Sequence, residues 1–175
     1  MVRHTDYQGL KQCIISTDVI AFTEEVLKDY GNLIPPNEGF LYWGGTREGG
    51  IGFVDMVIAP KCDSSLLRVL TSHHSNALVV KNLSQFKKIQ IAQVHSHPSK
   101  WVDHSVGDDE LAPFKANGLF SIVVPSYGYQ GMLPLDQCGI HLYWNLFKRM
   151  QKSLVNRVFE ISNNLNATII DLRHV

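Results

Sequence analysis

The chain has 175 residues, 16 basic and 16 acidic side chains and a formal net charge of zero, with 45% hydrophobic and 18% charged residues. That length suits one domain with a sizeable core. The composition lies in the globular range. Neutral charge without a basic block argues against nucleic-acid binding, and three widely spaced cysteines, Cys13, Cys62 and Cys138, argue against a disulfide framework and for a reducing compartment.

The first residues, Met1 to Asp6, lack the apolar core of a signal peptide. No apolar run approaches the ~20 residues of a membrane span. Gln12 to Ser16 reads as a short strand. A helix follows, capped by Thr17 or Asp18, running through Tyr30 and closed by Gly31. Val19, Phe22, Val26 and Leu27 form its apolar stripe. Pro35-Pro36 breaks the chain. Phe40 to Trp43 and Ile51 to Ile58 then predict a hairpin, with Thr46 to Gly50 as its loop. Residues 60–72 fit no single pattern. Asn76 to Lys88 is an amphipathic segment.

Ile89 to Val94 is apolar with polar interruptions and predicts a strand, ended by Pro98, which cannot donate to a ladder. A helix starts after Ser105 and is cut short by Pro113. Leu119 to Val124 is a strand of the fully buried kind. Ser126 to Asp136 is a loop, Gly139 to Tyr143 a strand, Leu146 to Val155 a helix and Thr168 to Leu172 a last strand. The chain shows no repeat, linker or low-complexity tract. The expected fold class is α/β: a mixed sheet flanked by helices, in one domain spanning residues 1–175.

The chemistry concentrates at the end of the 89–94 strand, in His95-Ser96-His97-Pro98. Side chains at i and i+2 share one face of a strand. His95 and His97 therefore converge, and Ser96 points away. A catalytic zinc site has three protein ligands and an open fourth position. Asp108 is the best third ligand, with Asp103, His104, Asp109 and Glu110 as rivals. Ser105-x-x-Asp108 also has the pattern of a helix N-cap with an acid at N3. The two readings are compatible, because a capped first turn holds Asp108 rigidly. Isolated histidines are usually surface or satisfied core residues, and His4, His73, His74, His141 and His174 are read that way.

His95-Ser96-His97, seven residues, then Ser105-x-x-Asp108 resembles the JAMM motif of the JAB/MPN metalloproteases. Asn37-Glu38-Gly39-Phe40-Leu41-Tyr42-Trp43-Gly44-Gly45 resembles that family's upstream glutamate segment, although Phe40 and Leu41 stand where small prokaryotic members have more glycine. The resemblance covers roughly residues 10–145 and implies a JAB/MPN-like (cytidine-deaminase-like) architecture. It implies a Zn2+ ion held by His95, His97 and Asp108. It makes Glu38 the general base and later proton donor, and Ser105 the hydroxyl that donates to the oxyanion. Each role also makes chemical sense unaided. Zinc lowers the pKa of a water on it to about 7, a nearby carboxylate is a competent base, and a hydroxyl aimed at the oxyanion stabilises developing charge.

The resemblance further implies cleavage after the C-terminus of a ubiquitin-like protein, in the cytoplasm, beside activating- or conjugating-enzyme-like partners, including those of bacterial antiviral defence operons. Processing of a sulfur-carrier protein with a Gly-Gly tail is an alternative. So is a metal-free MPN-type scaffold, which the intact ligand set disfavours. A DNA-associated relative with a similar His-x-His-Pro motif is disfavoured by the neutral charge. A zinc deaminase is set aside because no Pro-Cys-x-x-Cys follows the histidines. A substrate tail is expected to lie along residues 60–75 and Ser126 to Gly131 as an added strand.

Overall fold

The chain alternates strands with helices whose apolar stripes cover a central sheet. The computed structural model describes residues 11–175. Among the described residues lie β1 (Gln12–Ser16), α1 (Thr17–Gly31), β2 (Phe40–Glu48), β3 (Ile51–Ala59), β4 (Cys62–Ser65), β5 (Arg68–Thr71) and α2 (His73–Gln85). They continue with β6 (Ile89–Ser96), α3 (Val106–Leu111), β7 (Phe120–Val124), β8 (Gly139–Trp144), β9 (Leu146–Arg149), α4 (Lys152–Val158), β10 (Phe159–Ser162) and β11 (Thr168–Asp171). Nine strands form one mixed sheet in the order β10-β1-β3-β2-β6-β7-β8-β9, with β11 also paired to β3. β4 and β5 form a separate two-stranded hairpin.

Strand alternation sorts side chains onto two faces. Leu41, Trp43, Val94, Phe120, Ile122 and Ile140 meet α1 and α4 in the larger core. Phe40, Tyr42, Met56 and Ile58 face the other way and pack with Val79 and Leu83 of α2. The expected mixed sheet with flanking helices is thus the observed fold. His4 lies outside the described residues.

Several local expectations give way to longer-range pairing. The cap of α1 is Ser16, whose Oγ accepts from the Asp18 N–H at 3.2 Å, one residue before the expected Thr17. The chain passes from β1 into α1 without a loop, so the last strand residue takes the capping role. Thr46 to Glu48 belong to β2, because their partners are Ile51 to Phe53. The turn is only Gly49-Gly50, with φ of +57° and +82°, as a two-residue hairpin turn with two positive φ angles requires. Residues 60–72 are mostly the β4–β5 hairpin, and α2 starts at His73, three residues earlier than expected.

Residues 146–149 are strand β9, not helix, and only Lys152–Val158 is helical. Asn145 takes a left-handed φ of 64°, which folds β9 back on β8. His141 then pairs Arg149, and Tyr143 pairs Phe147, with ring centroids 5.0 Å apart. Strand β10 had no sequence expectation. It is a short edge strand parallel to β1. No helix among the described residues is long and apolar enough to cross a membrane.

Candidate metal centre

The centre forms where β6 ends between its neighbours β2 and β7. Phe40 pairs His95 on one side and Val123 pairs it on the other. The Ser96 hydroxyl, pointing away from the two histidines, accepts the Gly39 N–H at 3.0 Å, and the Ser96 N–H donates to the Gly39 carbonyl at 3.1 Å. These two bonds fasten the Glu38 segment beside the histidines. The loop after Pro98 crosses Gly139 so closely that a Cβ there would lie 1.7 Å from the Val102 carbonyl oxygen. Only glycine leaves room for that approach.

His95, His97 and Asp108 come together as expected. The two Nε2 atoms are 3.2 Å apart. His95 Nε2 is 3.3 Å from Asp108 Oδ1, and His97 Nε2 is 3.3 Å from Oδ2. Donors bound tetrahedrally to zinc at about 2.0–2.1 Å sit roughly 3.3 Å from one another, so this set has the spacing of a metal site. The three residues could hold a metal ion. His97 has its other nitrogen, Nδ1, 3.0 Å from the Trp101 carbonyl. That bond fixes the tautomer and leaves Nε2 free to ligate. Trp101 also stacks on the His97 ring, with centroids 5.3 Å apart.

Burial disfavours charge on His97, but the Asp108 carboxylate outweighs it and raises its pKa above the ordinary value. Asp108 is held far below the carboxylate range: burial opposes ionisation, and hydrogen bonds from both histidines overcome it.

Asp108 is also part of a helix cap. Its N–H donates to Ser105 Oγ at 3.1 Å, and its Oδ2 accepts the Ser105 N–H at 2.7 Å. This reciprocal capping box starts α3 and clamps the candidate ligand. Ser105 therefore both caps the helix and borders the metal pocket. Its roles are separable. Ser105→Ala should cost ~1 kcal/mol of stability and slow any hydrolysis on the order of a hundredfold. Ser105→Asn should restore most of the stability and little of the rate. Melting curves and turnover measurements on the three proteins check this, and recovery of both by Asn would reduce Ser105 to a cap.

Glu38 is buried, at 4% exposure. Its N–H donates to the Ser65 carbonyl at 2.9 Å, tying it to the β4–β5 hairpin. Burial lifts its carboxyl to about 7; the nearby His97 charge opposes that shift and Asp108 reinforces it. A dication at the three ligands would pull it back down by the same attraction.

The rival ligands are engaged elsewhere. Asp103 pairs with Arg149, and Glu110 is exposed. His104 turns its Nδ1 to Asp109 Oδ1 at 2.7 Å and its Nε2 to Ser121 Oγ at 2.9 Å. It stacks on His141 with centroids 3.9 Å apart. Burial lowers both pKa values to about 3, so both rings are neutral near pH 7. His73, His74 and His174 are exposed, as expected of isolated histidines.

The sequence left two contributors without a role of their own: the Trp101 carbonyl and Tyr127. Tyr127 has a φ of 54° without being glycine, and its hydroxyl donates to the Leu66 carbonyl at 3.3 Å. It braces the hairpin against the centre. The two segments expected to border a substrate touch through this bond, and Leu67, Arg68 and Val69 of the first line the pocket beside the centre. The backbone carbonyl of Trp101 and the strained turn at Tyr127 carry no side-chain signal that a sequence motif could report.

No family model matches the chain, and no curated protein does. Among solved structures, the solution structure of protein DSY2949 from Desulfitobacterium hafniense is similar. It has a TM-score of 0.65 and 18% identity over 88% of this chain and 95% of that one. At that identity the likeness is one of fold.

Proposed function

We propose that this chain is a JAMM-type zinc metallopeptidase of JAB/MPN-like architecture, an isopeptidase that cleaves after the C-terminal glycine of a ubiquitin-like protein. The observation that carries the reading is a three-donor metal set, one donor of which the Ser105 cap holds, with a buried glutamate near enough to feel the charges of His97 and Asp108.

Two imidazoles and one carboxylate are the donor set of an open zinc site. A bound zinc would supply Lewis acidity, polarising a carbonyl and easing deprotonation of water. Glu38 takes the proton from the attacking water and returns it to the leaving amine. Burial lifts this carboxyl and a bound dication would lower it again, so it is ionised to take the proton and sits in an environment that favours its protonated form afterwards. Ser105 donates its hydroxyl proton to the oxyanion while its oxygen still accepts from the Asp108 N–H. The exposed apolar rim contributed by Leu67, Val106 and Leu111, 79%, 72% and 52% exposed, suits a protein partner. The β4–β5 hairpin offers a strand edge for an extended tail. Three free cysteines suit the reducing cytoplasm. Activating- or conjugating-enzyme-like partners would supply the conjugate it cleaves.

The test uses fusions of ubiquitin-like proteins from the gene neighbourhood, each extended past its terminal glycine. Zinc-loaded protein should cut directly after that glycine, lose activity to a chelator and regain it with zinc. Failure on every such fusion, with one zinc bound per chain, would reject this substrate class.

A further inference from the structure

The candidate ligands His95 and Asp108, with Ser105, line one side of a cavity of about 120 Å³. Phe40, Leu67, Val69 and Leu111 form its apolar walls, and Gln93 and Ser121 line its polar side. Gln93 precedes His95 by two residues on β6 and shares its face. It belongs to a polar row across the sheet: Tyr42, Gln93, Ser121, His141 and Arg149 are direct cross-strand partners.

Gln93 is only 2% exposed, and its Oε1 has no hydrogen-bond partner among the described residues. Most buried side-chain polar atoms are paired, so each exception calls for an explanation. Its row neighbours cannot serve it. The Tyr42 hydroxyl donates to Asn76 Oδ1 at 2.8 Å. His104 Nδ1 faces the Asp109 carboxylate, which only accepts, so that nitrogen carries the proton. His104 Nε2 must then accept from Ser121, and the single Ser121 donor is committed. The donor for Gln93 has to come from outside the sheet.

We propose that this cavity is a specificity subsite for one substrate side chain within two residues of the scissile bond. It selects a small uncharged side chain bearing a hydroxyl or carboxamide, threonine or asparagine, over apolar side chains of the same shape. The assignment rests on the peptidase reading above. The volume sets the upper size: a cavity of about 150 Å³ takes benzene, and this one is smaller and shared with the candidate metal ligands. Arg68 also lines the cavity but is exposed, and at the neutral floor of Gln93 and Ser121 a charged tip would stay unpaired. A carboxamide at Gln93 can also rotate to present its N–H groups, so a hydroxyl or carboxamide satisfies it either way round.

Zinc-loaded Glu38→Gln protein, which should bind without cutting, would be titrated calorimetrically with Gly-containing hexapeptides. These differ at one position at a time, Thr against Val and Asn against Leu. Threonine and asparagine should bind about tenfold or more tighter at one position, the cost of leaving a buried acceptor unpaired. Gln93→Met in the same background should erase the preference while zinc content and melting temperature hold. If that variant misfolds, the Thr/Val and Asn/Leu ratios still decide. Equal binding at every position, a preference for the apolar member, an acidic preference directed by Arg68 at the rim, or no binding at all would each overturn the subsite. A threonine preference in binding, with neither these peptides nor the fusions above cleaved by the wild-type zinc protein, would leave a side-chain binding pocket and reject the peptidase reading.

Discussion

Glu38→Gln should abolish turnover while leaving the zinc content and melting temperature close to wild type. The amide keeps the side-chain shape in its buried slot but cannot accept a proton. General acid–base catalysis contributes about 10²–10⁴-fold, so the loss should fall in that range or beyond. Stability should hold, because Glu38 is linked to the hairpin through its N–H donating to Ser65, a bond that any residue makes. In the metal-free protein burial holds this carboxyl near 7, so it is partly protonated at neutral pH and its removal costs little favourable charge there. Single-turnover cleavage and metal analysis on the same preparation would check it. Substantial residual cleavage would transfer the base to another acid, with Glu48 and Glu110 the first to examine.

Asp108→Ala should lose zinc and all metal-dependent activity together. It removes the only carboxylate of the donor set and half of the capping box. Loss of an outer-sphere partner costs about 10–100-fold in metal affinity, and loss of a ligand should exceed that. Metal-free Asp108→Ala should also melt lower than the metal-free wild type, on the order of 1 kcal/mol for the broken cap. Wild-type affinity should be proton-linked. Asp108 raises the His97 pKa above its ordinary 6.5, so zinc must displace a proton from the ligand cluster. Affinity therefore falls as pH drops through and below that raised value, and zinc uptake near neutrality releases protons. Equal zinc in wild type and Asp108→Ala would remove Asp108 from the ligand set. Affinity independent of pH between 6 and 8 would contradict the protonated ligand cluster.

The sequence by itself determined whatever depends on short spacing. Alternation along Ile89 to Val94 marks β6, and the i, i+2 rule puts His95 and His97 on one face. The interval from Ser105 to Asp108 marks both a cap and a candidate ligand, and the structure joins the two in one capping box. Pro113 ends α3 where backbone chemistry requires. The mixed sheet with flanking helices follows from the same local periods.

The tertiary structure decided everything that depends on partners distant in the chain. Residues 146–149 become a strand because β8 lies beside them, and Thr46 to Glu48 extend β2 because β3 does. Glu38 and His97 are 59 positions apart, and only the β2–β6 pairing, tied by Ser96, brings their charges together. His104 and Asp109 stay off the candidate metal centre because Ser121 and His141, from strands later in the chain, offer His104 a bond and a stacking face. Gln93 is a polar residue in a buried strand, visible in sequence. Its unmet hydrogen bond exists only because Tyr42 and Ser121, brought alongside by strand pairing, are already committed elsewhere.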